Sequence, residues 1–159
     1  MDSTYPIYLF KYINIHNETD EKHFQFQGNA AGGSGYNETI TSTAFAAYHN
    51  EGDSGAAVGY EAATDQAQGT GFQMLSYDFS ADNDHAGCGY LYLFNPSSTT
   101  FVKHFIARTQ YTHYNDHSLD IYIAGYFNTT SAIDEIQFKM SSGNIDSGKI
   151  KLYGLKDSA

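Results

Sequence analysis

Along most of this chain apolar and polar residues alternate with the two-residue period of a strand that shows one face to a core and one to water. From Tyr5 to His16, Ile7, Leu9, Ile13 and Ile15 fall on one side and Tyr8, Phe10, Tyr12 and Asn14 on the other; Lys11 interrupts the first stripe, as a bend or an edge strand would. Phe24 and Phe26 alternate with Gln25 and Gln27, predicting a second strand over 22–28, paired with the first in a hairpin after the polar turn 17–21. The run 38–50, ETITSTAFAAYHN, fits either a strand or one or two helical turns in AFAAYH; its Thr, Ile and Phe content favours the strand. AAVGYEA (56–62), GFQMLSYDF (71–79), GYLYLFN (89–95) and TFVKHFIARTQYTH (100–113) continue the series.

Three further strands occupy Leu119 to Lys156. LDIYIAGYF is β-branched and aromatic, Ile136, Phe138 and Met140 alternate with Gln137 and Lys139, and Ile150 and Leu152 alternate with Lys149, Lys151 and Tyr153. The polar turn at 128–131 and SSGNIDSG (141–148) join them into the end of an antiparallel sheet. Gly-rich and polar loops near residues 30 and 65 are long enough to cross between sheets. Nine or ten strands with no sustained helical period predict an all-β antiparallel sandwich of jelly-roll-like winding, a single domain over 1–159. In GYLYLFN, Leu91 and Leu93 lie on one side and Tyr90, Tyr92 and Phe94 on the other, so both faces are apolar. That places the strand centrally or at a subunit interface and makes Tyr90, Tyr92 and Phe94 candidate interface residues.

The terminal pattern, Ile133, Ile136, Phe138, then SSGNIDSG, then Ile150, Leu152, Tyr153 and Gly154, resembles a group of bacteriophage virion proteins, especially from marine phages, whose β-sandwich domains close on a strand ending LYG. The likeness covers about the last 40 residues and extends loosely over the last 65. It implies a structural role in the virion, on the capsid surface or in a tail appendage, and brings no catalytic residues with it.

Composition narrows the partners. With 18 Asp and Glu against 8 Lys and Arg, the chain carries a formal charge of −10, the wrong sign for displacing counterions from a phosphate backbone. Direct nucleic-acid binding is therefore not expected, and on a capsid the charge suits the outer surface. The first residues lack a basic leader, no run reaches the length of a membrane span, and Cys88 is alone, so assembly in a reducing host cytoplasm is expected. Residues 1–6, including Tyr5 and Pro6, are a candidate N-terminal arm for contacting a partner. The expected partners are other copies of the chain, as a homotrimer, and the major capsid protein.

Several motifs bear on possible chemistry. GDSG (52–55) matches the nucleophile motif of trypsin-like proteases, but only 51 residues precede it, too few to supply the rest of a triad in a two-barrel chain; a Gly/Asp turn explains it better. DNDHAG (82–87) has Asp82 and Asp84 at alternate positions, yet Ala86 and Leu93 stand where an EF-hand needs oxygen ligands. His113 and His117 have helical ligand spacing in a turn context. No metal, cofactor or catalytic residue is assigned. The 14 tyrosines serve core packing or interfaces, and the alternative use, stacking on sugars, makes Tyr36, Tyr60, Tyr77, Tyr111 and Tyr114 candidate glycan-facing residues of a tail-fibre receptor-binding domain.

Overall fold

The computed structural model describes residues 1–157, and these form ten strands and no helix. The strands are β1 (Ile7–Asn17), β2 (Phe24–Ala30), β3 (Ile40–Asn50), β4 (Ala56–Tyr60), β5 (Gln73–Met74), β6 (Gly87–Phe94), β7 (Lys103–His113), β8 (His117–Phe127), β9 (Ile133–Met140) and β10 (Ile145–Leu155). They build two antiparallel sheets, one of seven strands in the order β10-β1-β6-β7-β8-β3-β4 and one of three in the order β5-β2-β9. The result is a sandwich with unequal layers, in which the small sheet covers part of one face of the large one. The loops near 30 and 65 do cross between the layers, but nothing in this strand order singles out a jelly-roll winding.

Alternation decides which residues fill the gap. β7 sends Phe105, Ala107 and Tyr111 inward, β8 Leu119, Ile121, Ile123 and Phe127, and β6 Leu91 and Leu93. The small sheet returns Phe24 and Phe26, whose rings meet those of Tyr12, Phe105, Phe127 and Phe138. Phe26 stands edge-on to Phe105 with ring centroids 5.1 Å apart, a favoured aromatic geometry. Burying Phe24, Phe26, Phe79, Phe105 and Phe127 contributes roughly 1.5–3 kcal/mol each, enough to hold a domain without cross-links, and the one cysteine, Cys88, is free and exposed. Gly89 makes room for the Tyr12 ring: a Cβ there would lie 2.5 Å from that ring and 2.2 Å from the Arg108 carbonyl.

β1 turns the stripe of Tyr8, Phe10 and Tyr12 into the core and leaves Ile7, Leu9, Lys11 and Ile13 on the far face. A bulge at Asn14, whose φ is 51°, then rotates Ile15 to the inside. β1 and β2 lie in different sheets, so they form no hairpin. The last three strands do not adjoin either: β8 is internal to the large sheet, β9 edges the small one, and β10 pairs with β1. In 71–79 only Gln73 and Met74 pair as strand; beyond them Leu75 and Ser76 both donate to the Phe24 carbonyl and Asp78 takes a φ of 46°, so the chain closes the end of the core irregularly. Residues 1–6 fold back on the domain rather than reaching away: the Met1 ammonium donates to the Asp134 carbonyl, and Tyr5 stands edge-on to Tyr8.

Candidate functional site

The far face of the seven-stranded sheet has no second layer over it. Register sets Lys151, Lys11, Tyr90, Arg108, Tyr122, Phe45 and Tyr60 in one row that crosses all seven strands. The next row is Tyr153, Leu9, Tyr92, Ile106, Ala124 and Thr43. Ile106 is 48 % and Phe45 47 % exposed, large values for apolar side chains on a regular sheet. Leu9 is buried without belonging to the core, because its cross-strand neighbours Tyr92 and Tyr153 flank it. Phe94, His104, Ile106 and Tyr126 line an open, mostly apolar groove with Thr41 and Thr43.

The rings on this face pack against one another. Tyr122 is stacked on Phe45 at 4.9 Å with the planes 2° apart, and the Arg108 guanidinium, from the strand on the other side, lies 4.7 Å from the Tyr122 centroid. Arg108 is fixed in turn by a two-pronged hydrogen bond to Asp120, with Nη2 to Oδ2 at 2.6 Å, and that carboxylate raises the guanidinium pKa. Both faces of Tyr122 are thus occupied, and Tyr92 stacks on Phe94. With both its faces occupied, Tyr122 has no ring face free to stack on a sugar.

Of the candidate interface residues, Tyr90, Tyr92 and Phe94 sit together on this face. Pro6 adjoins its rim, where its carbonyl accepts from the Asn95 N–H at 2.6 Å. Tyr5 is on the opposite side, beside Tyr8 and over Gly154. The candidate glycan-facing tyrosines do not converge. Tyr111 is fully buried, because odd-numbered residues of β7 point inward, and its hydroxyl donates to the Tyr77 carbonyl at 2.7 Å; it cannot meet a glycan. Tyr77 is half-buried beside it, its phenol pushed up to about 12 by burial and then by Glu61. Tyr36 donates to Glu135 at 3.2 Å, Tyr60 at the end of β4 donates to Asp65 in the loop that follows, and Tyr114 packs on His113 in the β7–β8 turn.

A second feature lies at one end of the sandwich, where the segments 18–23, 51–55, 75–86 and 114–116 meet. Six of the seven histidines gather here, and five have an Asp partner: His16 with Asp146, His23 and His113 with Asp78, His49 with Asp53, and His85 with Asp82 and Asp84. His113 and His117 are cross-strand partners on either side of the turn, with rings stacked at 5.2 Å; a hairpin, not a helix, brings them together. Asp82, His85 and Asp116 offer three donor atoms within 4.8 Å of one another, the set best placed to hold a cation, while His85 Nδ1 also lies 2.8 Å from Ser80 Oγ. Asp116 comes from another turn, and no sequence spacing links it to Asp82. In GDSG, Ser54 bonds to Asn50 within the β3–β4 turn and Asp53 has a φ of 53°, a turn geometry.

Burial opposes charge on His16, but the Asp146 carboxylate and the Asp82 carbonyl outweigh it and hold its pKa above the ordinary value. Burial lowers that of His113, and Asp78 only partly compensates. Comparison of the chain with protein-family models, with characterised proteins and with solved structures finds no match.

Proposed function

We propose that the protein is a non-enzymatic structural component of a phage particle: a decoration protein on the outside of the head that bridges capsid subunits and associates with its own kind as a homotrimer. The observation that carries this is the uncovered face of the seven-stranded sheet, where Tyr90, Tyr92, Phe94, Ile106, Tyr122 and Phe45 present a broad aromatic surface no other part of the described chain covers. The resemblance of the segment 133–154 to virion β-sandwiches and the charge of −10 point the same way. Area buried on that face would oppose the outward pressure of the packaged genome. The receptor-binding alternative needs loop tyrosines gathered into one site, and Tyr36, Tyr60 and Tyr114 are scattered over three regions.

Stripped particles provide the test. Re-adding the protein should restore their resistance to heat and osmotic shock, whereas Ile106→Glu, folded but carrying a charge in the middle of the face, should not bind. Survival that is the same with and without the protein rules out the decoration role.

A further inference from the structure

The two edges of the large sheet carry opposite charge. Lys11, Lys149, Lys151 and Lys156 outnumber Asp146 and Asp157 on β1, on β10 or just beyond it, while not one Lys or Arg occurs between residues 23 and 102, the span that contains β3 and β4. Around β4 stand Glu51 and Asp53 before the strand and Glu61 and Asp65 after it. Every residue of β4 is exposed, and the strand contains no charge, proline or bulge, the features that normally keep an open edge from pairing. At the other edge, all ten residues of β10 after Ile145 are exposed.

Edge protection explains Lys149 and Lys151 but not Lys11, which sits one strand inside. Lys11 is directly opposite Lys151 in the ladder, and no carboxylate lies within 4.0 Å of Lys11, Lys149 or Lys151 among the described residues. Like charges face to face cost stability unless an anionic partner compensates them. Lys11 and Lys151 thus face each other on the open side with no carboxylate to offset their repulsion, which an acidic group from outside the fold would relieve.

We propose that the partner is a second copy of this chain, joined edge to edge, with β4 of one copy alongside β10 of the next. This deepens the self-association put forward above but uses the sheet edges rather than the aromatic face. Symmetric pairings are opposed by charge: β10 against β10 sets Lys149 and Lys151 against themselves, and β4 against β4 sets its acidic flanks together. The mixed pairing joins opposite signs. Six successive antiparallel neighbours make β10 and β4 run in the same direction, so copies related by rotation about an axis along the strands pair in parallel. Such a head-to-tail contact closes into a ring when the rotation permits.

Charge reversal tests it. By sedimentation and light scattering the wild-type chain should associate, more weakly in high salt. Lys149→Glu with Lys151→Glu should weaken association roughly tenfold or more, equivalent to about 1.4 kcal/mol, and Val58→Lys, at a position 73 % exposed, should do the same with the fold intact by circular dichroism. A chain with Glu51→Lys and Asp65→Lys should likewise associate more weakly alone, and mixing it with the Lys149/Lys151 reversal should restore association. A monomeric wild type, or association indifferent to both edge variants and lost only with Ile106→Glu, overturns the edge pairing. Edge-dependent association by a protein that fails to protect particles would instead leave the pairing standing and refute the decoration role.

Discussion

The two faces of the seven-stranded sheet are built by alternate residues of the same strands and meet opposite fates. On β7, Phe105 is buried under Phe26 while its neighbour Ile106 is half exposed; on β8, Ile121 and Ile123 are sealed while Tyr122 between them lines the open side. The inner face is mostly apolar, with Lys103, Thr109 and His113 of β7 as buried polar exceptions. The outer one mixes aromatic rings with Arg108, Lys11 and Asp120, residues with an apolar body and a polar tip that tolerate water and still offer area to a partner. Hydrophobicity alone therefore does not separate the covered face from the open one: Phe45 and Ile106 stand exposed while Tyr12 and Tyr111 are sealed in the core.

The largest effect expected from breaking this comparison is on the covered side. Phe26→Ala removes a ring that touches Phe105, Phe127 and Phe138 in a site with no solvent exposure, and should cost about 3–5 kcal/mol in denaturant unfolding. A loss below about 1 kcal/mol would mean the small sheet is not a true core layer. On the open side, Ile106→Ala should change the stability of the isolated chain by only about 0.5 kcal/mol while weakening particle binding. A large stability loss there would show that the face is already packed in the free protein.

The smallest effects come from pH and sharpen a different contrast, between the two histidines of the loop end. The folded His16 pKa is raised, so its contribution is complete below the unfolded value and is lost as pH rises through the folded one. The folded His113 pKa is depressed, so its contribution is present above the unfolded value and is lost as pH falls through the folded one. Melting temperatures across mildly acidic to neutral pH should show His113→Gln losing less than wild type on acidification and His16→Gln losing less on alkalinisation. Parallel curves for all three proteins would refute both assignments.

Alternation made ten strand regions legible, including 38–50, where β-branched residues outweighed the Ala-rich stretch. Pairing was not legible, because a one-faced strand such as β9 reads the same whether its neighbour is β10 or β2. The turn composition of SSGNIDSG signals a reversal but not a change of sheet. The apolar pattern on both faces of β6 matches the placement of Tyr90, Tyr92 and Phe94 on the open face opposite Leu91 and Leu93, whereas the glycan-facing reading of Tyr111 fails because exposure of a lone tyrosine depends on strand phase. The histidine-rich end left a trace that could have been followed: six of the seven histidines fall in or beside segments that read as turns or strand termini. The approach of Asp116 to Asp82 and His85 left none.

The placement of β9 and β10 has a consequence for synthesis on the ribosome. β2, at residues 24–30, finds its long partner only in 133–140, and β1 has one side unpaired until 145–155 has emerged. The nascent chain must hold Phe24, Phe26 and the inner faces of earlier strands uncovered until residues 133–155 emerge, with loop closures of more than a hundred residues still to come. Folding should therefore wait for that segment, and truncation before residue 133 should give an aggregating fragment rather than a smaller stable domain.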